Sequence, residues 1–205
     1  MQKDKVREDA HDSMRKATSL SKQAILRIHQ KKFAEAKKLL ENATAAISQL
    51  QGSAEAYPEI IYGGMFSTAL QEYAEANIFL KLIEEARFVT PKEINVPAAD
   101  YVLGLADAIG EYRRLTLDAL RKGEVAKGEK CLELMDEIYV ELMAMDEAYM
   151  LVLGLRRKCD VARKIIEITR GDITQEVRRK SLEDYLHRFE QTQKKKRQSR
   201  KGLSQ

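Results

Sequence analysis

The chain has few residues that interrupt helices: three prolines, ten glycines and no tryptophan in 205 residues. So few breakers over this length favour an all-helical protein over a β-rich one. A membrane-spanning helix needs roughly 18 consecutive apolar residues, and no run in the sequence approaches this length. We therefore expect no membrane span. The amino terminus is charged from its start and lacks the apolar stretch of a secretory signal peptide. We therefore expect a cytoplasmic protein.

Cysteine and histidine are also scarce. Cys131 and Cys159 are too few and too isolated for a disulfide framework or a metal motif, and each lies in a helical pattern among apolar neighbours. Both are therefore expected in the core. His11, His29 and His187 lie far apart in the sequence, and none falls in a Glu-x-x-His or His-Glu-x-x-His spacing. The histidine-containing di-metal site of ferritin-like bundles is thereby excluded.

Positive charge is concentrated at the carboxyl end. The formal net charge is +4, yet the residues from Arg188 onward hold seven lysines and arginines against one glutamate. This predicts one helical domain over residues 1–190 and a basic, disordered tail over 191–205. The tail either contacts nucleic acid without sequence preference or only keeps the protein soluble, and the composition does not decide between the two.

Apolar residues recur at three- and four-residue steps along almost the whole chain, which predicts an all-α protein. The pattern and its breaks predict about seven helices. They cover roughly residues 3–29, 33–50, 59–86, 97–122, 125–146 and 147–169, with a last helix after Arg170-Gly171.

Two of the predicted helices carry paired acids within apolar sequence. In DYVLGLADAIGEYRR, Asp107 and Glu111 are four residues apart and share one helix face. In LQEYAEA, Glu72 and Glu75 are three residues apart and also share a face. A buried carboxylate must be paired, protonated or bound to a cation, so the two pairs are candidates to converge when the helices pack.

An oxygen-only cluster of this kind suits a hard cation, Mg²⁺ or Mn²⁺. Carboxylate-held Mg²⁺ is a common device for cleaving phosphodiesters, because the ion stabilises transition-state charge and activates water. The alternative is that the glutamates lie on a solvated surface and that the acids pair with Arg113 or Arg114. That alternative is weaker for Asp107, whose neighbours leave little polar face.

Three segments resemble the translin superfamily, most closely translin-associated factor X and its archaeal relatives. They are LQEYAEA at 70–76, DYVLGLADAIGEYRR at 100–114 and RKCDVARKIIEITRGD at 157–172. The resemblance implies a seven-helix antiparallel bundle of the translin type that assembles into a hollow oligomer, commonly an octamer. It also implies either a homo-oligomer or assembly with a translin-like partner subunit.

The same resemblance implies a function. Translin binds single-stranded RNA and DNA, and the factor X branch is the catalytic subunit of a Mg²⁺-dependent endoribonuclease. The catalytic, metal-binding acids of that branch correspond to Glu72, Glu75, Asp107 and Glu111. Translin lacks the full acidic set, so the resemblance favours an endoribonuclease that cuts RNA inside an oligomeric barrel.

Basic residues near the acids are expected to hold RNA phosphates, although each could instead form a salt bridge. They are Arg113, Arg114, Arg156, Arg157, Lys158 and Arg163. Two other functions stay open. One is a non-catalytic scaffold that binds single-stranded RNA or DNA, and the other is a helical adaptor that binds only protein.

Overall fold

The computed structural model describes residues 2–54, 57–58 and 63–202, and this part of the chain forms helices and no strands. The all-α prediction is therefore confirmed. The helices are α1 (Gln2–His29), α2 (Phe33–Ala54), α3 (Gly64–Glu85), α4 (Ala98–Arg121), α5 (Val125–Ala144), α6 (Asp146–Leu151) and α7 (Leu155–Gly202). Within the described ranges, no helix has the length and apolar character needed to cross a membrane.

Backbone conformation sets the limits of α3. Gly63 is extended, with φ −130° and ψ 173°, and precedes the first residue of the helix. The prediction of a helix running unbroken through Gly63-Gly64 was therefore wrong, while its first residues, 59–62, lie outside the described ranges. Ala86 takes a left-handed conformation, with φ 50°, and ends the helix. Lys31, between α1 and α2, also takes a left-handed conformation, with φ 59°.

The carboxyl-terminal third differs most from the prediction. The helix expected over 147–169 is divided, since α6 ends at Leu151 and Gly154 has φ 89°. The break expected at Arg170-Gly171 is absent, because α7 continues through it. One glycine inside a long helix costs only about 1 kcal/mol relative to alanine. The side chain of Arg170 also binds Asp136 of α5 at 2.9 Å, which holds this turn of α7 against the domain.

The tail predicted to be disordered continues α7 as far as it is described, over 191–202. Lysine, arginine, glutamate and glutamine have high helix propensity, and no proline interrupts the segment. Arg179 adds ion pairs to Glu176 and Glu183, three and four residues away, that support the helix before it. Residues 203–205 lie outside the described ranges.

The core fills the space between antiparallel neighbours. Helix α1 packs on α2 and α3, α3 packs on α4, and α4 and α5 pack on α7. Cys131 and Cys159 are both buried in this core, as predicted. The last buried side chain of α7 is Ile173, and from 174 to 195 none is buried, so this half of α7 extends beyond the core.

The two acid-bearing helices cross at Gly104. A Cβ atom at this position would lie 2.6 Å from the Gln71 carbonyl oxygen and 2.9 Å from the Glu75 amide nitrogen. Only a hydrogen atom fits in this space, so the glycine allows the backbones of α3 and α4 to touch. The close crossing brings the acidic faces of the two helices together.

Candidate active site

All four predicted acids lie in one pocket of about 460 Å³ between α1, α3 and α4. Helix α3 supplies Glu72 and Glu75, and α4 supplies Asp107 and Glu111, each pair on the face that its spacing predicts. The pocket is completed by side chains from α1 and by Arg114 of α4. Those from α1 are Lys22, Ile25 and Leu26.

Glu75 lies deepest of the four. Burial, and next the negative charges of Asp107, Glu72 and Glu111, raise its pKa to about 9, against a smaller lowering by Lys158. At neutral pH the carboxyl group of Glu75 is therefore protonated. The other three acids are close enough to Glu75 to oppose its ionisation, as expected of carboxylates gathered around a cation site.

Each of the other three acids is bound by a basic side chain that lies on α1 or α7. The ammonium of Lys22 in α1 lies 3.2 Å from Glu72. Lys158 of α7 donates to Asp107, and His29 at the end of α1 is bonded to Glu111. Sequence reasoning weighed Arg113 and Arg114 as partners, whereas the observed partners lie on helices distant in sequence.

Lys158 has three acceptors. Besides Asp107, its ammonium donates to the Gln71 side-chain oxygen at 3.1 Å and to the Leu103 carbonyl at 3.3 Å. The Gln71 amide nitrogen donates in turn to Ser67 at 2.9 Å. These contacts use all the hydrogens of the ammonium group. Lys158, predicted to hold a phosphate, is instead bound to the acidic site in this structure.

The predicted phosphate ligand Arg113 points away from the acids. Its guanidinium lies 3.0 Å from the carboxylate of Asp172 and donates to the Thr169 hydroxyl at 2.7 Å, both on α7. This is the salt-bridge alternative weighed for each basic residue, and it fixes α4 to α7. Its neighbour Arg114 is exposed and lines the acidic pocket.

Of the basic residues predicted on α7, Arg157 and Lys158 lie at the site. Arg157 lines a second cavity of about 500 Å³, together with Asp107 and Lys158. Arg156 and Arg163 are exposed on the same helix. The acidic pocket and the second cavity share Asp107, so phosphates bound near the acids would lie close to Arg157, whereas Arg156 and Arg163 line neither of these two cavities.

Sequence reasoning missed His29, because only short histidine spacings were considered. Its imidazole Nε2 is bonded to Oε2 of Glu111, and its side chain is 4% exposed. The ring packs on Phe79 with centroids 5.0 Å apart. The other ring nitrogen, Nδ1, is buried and has no hydrogen-bond partner among the residues that the structure describes. No local pattern around position 29 signals this contact, since Glu111 lies 82 residues away.

The chemistry of the donors fits a hard cation, because the four acids offer only carboxylate oxygens. The arrangement is not a finished coordination sphere: within the described ranges, no group of three or more histidine, cysteine, aspartate or glutamate side chains is placed to hold an ion. Glu72 and Asp107 are instead bound by the ammonium groups of Lys22 and Lys158. A cation would compete with these partners for the same oxygens.

The sequence matches known proteins over most of its length. A model of the Translin family matches residues 5–168. An uncharacterised protein of the archaeon Methanocaldococcus jannaschii is 34% identical over 190 residues, which make up 92% of this chain and 84% of that protein.

Solved structures share the fold. AfC3PO, solved in a crystal structure and also as a complex with duplex RNA, matches in both cases with a TM-score of 0.76 at 34% identity. The match covers 85% of this chain and 91% of AfC3PO. Apo-NeC3PO matches with a TM-score of 0.75 at 24% identity, over 84% of this chain and 90% of its own. The fold predicted from the sequence is thereby confirmed.

Proposed function

The chain belongs to the translin family, and from this premise we propose that it is a metal-dependent endoribonuclease. It binds RNA and hydrolyses phosphodiester bonds at the acidic pocket, with Mg²⁺ or Mn²⁺ held by the four carboxylates. The observation that carries the proposal is their convergence, with a buried Glu75 whose pKa is raised to about 9 by burial and by the other three acids. Such a cluster of carboxyl groups is costly unless its members are paired, protonated or bound to a cation.

The side chains have distinct parts in this chemistry. Glu72, Glu75, Asp107 and Glu111 hold the ion through oxygen. When bound, Mg²⁺ or Mn²⁺ supplies Lewis-acid stabilisation of phosphate charge and a water of lowered pKa. Lys22 and Lys158 keep two of the carboxylates paired until an ion competes for them.

RNA is the proposed substrate. AfC3PO, at 34% identity, is known in complex with duplex RNA. In this chain Arg114 lies in the acidic pocket, and Arg157 lies beside it. Arginine binds phosphate oxygens well, because its planar donors match their geometry. The exposed Arg156 and Arg163, together with the basic end of α7, extend the positive surface along that helix.

Assembly is also proposed. Several large apolar side chains of the single chain face solvent, and they include Met150 and Leu151 at 81% exposure and Leu153 at 96%. Large exposed apolar side chains close together mark interaction surfaces. We assign them to contacts between subunits of a hollow homo-oligomer, with an octamer expected and a translin-like partner subunit as the alternative. Light scattering coupled to size exclusion measures the subunit count.

Cleavage of labelled RNA tests the activity. Purified wild-type protein is expected to cut duplex or single-stranded RNA internally with Mg²⁺ or Mn²⁺. Cleavage should stop when EDTA is added. Asp107→Asn keeps the size of the side chain and removes its charge, so it should bind RNA and fail to cut it. Full activity of a pure Asp107→Asn preparation would show that the proposed site is not the catalytic one.

A non-catalytic scaffold for single-stranded RNA or DNA is the second candidate. It is favoured by the pairing of three acids with Lys22, His29 and Lys158, because such pairs also serve a purely structural site. The scaffold predicts salt-dependent nucleic-acid binding and no divalent-dependent product. Wild-type protein that binds RNA and leaves it intact under every divalent condition would favour this candidate.

A further inference from the structure

The bond between His29 and Glu111 joins two helices at the edge of the acidic pocket. His29 is the last residue of α1, and its Nε2 atom contacts Oε2 of Glu111. The side chain of the histidine is 4% exposed and that of the glutamate 23%. The ring packs against Phe79, with 5.0 Å between the ring centroids. The imidazole therefore has little freedom to turn away from Glu111.

The buried Nδ1 atom indicates that the ring is not present for packing alone. Glu111 accepts a hydrogen bond from Nε2–H, so in the neutral ring Nδ1 carries only a lone pair. That lone pair is buried, and no donor from the described part of the chain reaches it. Leaving a buried acceptor unsatisfied is unfavourable for folding, so a ring kept only for packing would be replaced better by an apolar side chain. The polar contact that the ring makes is through Nε2, which holds one oxygen of Glu111.

We propose that His29 is a positioning residue for the metal centre: it fixes the rotamer of Glu111 and leaves Oε1 of that carboxylate directed to the ion. This inference rests on the proposed function, because it needs a cation at the pocket. Carboxylates that bind metals are commonly oriented by a hydrogen bond from a neighbouring side chain, and losing that bond typically weakens metal binding. His29 does not itself touch substrate or ion in this role.

Mn²⁺ binding to the purified protein without RNA tests the role independently of activity. His29→Leu keeps much of the side-chain volume and loses the donor, and it should weaken Mn²⁺ binding about ten- to a hundredfold. His29→Gln places an amide NH₂ near the position of Nε2 and should restore binding to within about threefold of wild type. His29→Asn ends short of Glu111 and should behave like the leucine variant, which provides a second loss variant should His29→Leu fail to fold.

A double substitution separates positioning from general damage. Glu111→Gln alone weakens Mn²⁺ binding, and adding His29→Leu should weaken it no further, because the histidine acts only through Glu111. A ring that merely supports the fold would give losses that add.

The results distinguish the two proposals. If wild-type protein binds Mn²⁺ and His29→Leu binds it equally well, the role of His29 is overturned and the proposed function stands. The same holds if folded His29→Gln is as weak as His29→Leu, or if the double variant shows additive losses. Wild-type protein that binds no Mn²⁺ overturns the metal-dependent function and the positioning role together.

Discussion

The ammonium group of Lys158 in α7 binds the carboxylate of Asp107 in α4 and also the Gln71 side chain of α3. One cation thus joins three helices at the rim of the acidic pocket. It is also the positive charge that opposes the rise in the pKa of Glu75. The effect of removing it follows directly from these contacts.

Lys158→Met, which keeps the length of the side chain, should lower the free energy of unfolding of the metal-free protein by about 1 kcal/mol. The substitution leaves Asp107 and Gln71 without their shared donor. Adding Mg²⁺ should recover part of this loss, because a bound cation replaces the missing charge. Urea unfolding with and without Mg²⁺ measures both effects, and Arg157→Met, one residue earlier on α7, is the control. Equal stability of Lys158→Met and wild type would contradict the prediction.

The acidic pairs could be predicted from the sequence because helix geometry is local: three- and four-residue spacings place side chains on one face wherever the helix lies. Their convergence depended on two helices crossing closely, for which Gly104 gave a partial signal. The partners of Asp107 and Glu111 come from positions 51 and 82 residues away. Contacts at such separations depend on tertiary packing, and no local pattern encodes them.

The errors in helix boundaries have a similar cause. Gly171 was read as a helix end, but α7 continues through it, supported by the contact of Arg170 with Asp136. The cost of one glycine is small, so tertiary contacts decide whether a helix stops there. At Gly63 the helix was predicted to continue, but the backbone there is extended and α3 begins only at the next residue. A glycine in the sequence therefore does not by itself indicate whether a helix continues through it.

Gly104→Ala should destabilise the protein by about 1–3 kcal/mol, because its Cβ would lie 2.6 Å from the Gln71 carbonyl oxygen and the backbones must move apart. Gly110→Ala, on the same helix, is the matched control. A Cβ there meets nothing within 4 Å, so alanine should be neutral or stabilise by up to about 1 kcal/mol through helix propensity. Urea unfolding compares the two. Equal effects would contradict the close crossing of α3 and α4.

Glu75 should make the metal-free protein less stable as pH rises from about 5 to 9. Its pKa is about 9 in the folded protein and 4.5 as the reference value for the unfolded chain. Between these values the folded state holds a proton that the unfolded state has lost, so stability falls by at most about 1.4 kcal/mol per pH unit. Glu75→Gln cannot lose a proton and should remove this slope, becoming more stable than wild type near pH 8.

The measurement is urea unfolding at several pH values in the presence of EDTA. Glu41→Gln, at an exposed position of α2, controls for the change in net charge. A wild-type slope that persists in Glu75→Gln would show that another group is responsible. A Glu75→Gln protein less stable than wild type at pH 8 would contradict the burial of a protonated carboxyl group.

Arg113 and Arg114 are adjacent in α4 and should nevertheless respond to substitution in opposite ways. Arg113 is bound to Asp172 and Thr169, so Arg113→Gln should cost about 1 kcal/mol of stability and leave RNA affinity nearly unchanged. Arg114 is exposed in the acidic pocket. Arg114→Gln should therefore keep the stability and weaken RNA binding, lowering the slope of log affinity against log salt by about one.

Fluorescence anisotropy with short RNA at several salt concentrations measures the slope, and thermal unfolding measures the stability. The two variants control for each other, because each removes one positive charge from the same turn of the same helix. A charge placed anywhere on that turn would give equal losses of affinity if RNA sensed only the net field. Unequal losses, confined to Arg114→Gln, would locate the RNA backbone on the side of α4 that carries the acids, within reach of Asp107 and Glu111. Equal losses would mean that RNA does not contact this pocket, and the site of cleavage would have to be sought elsewhere.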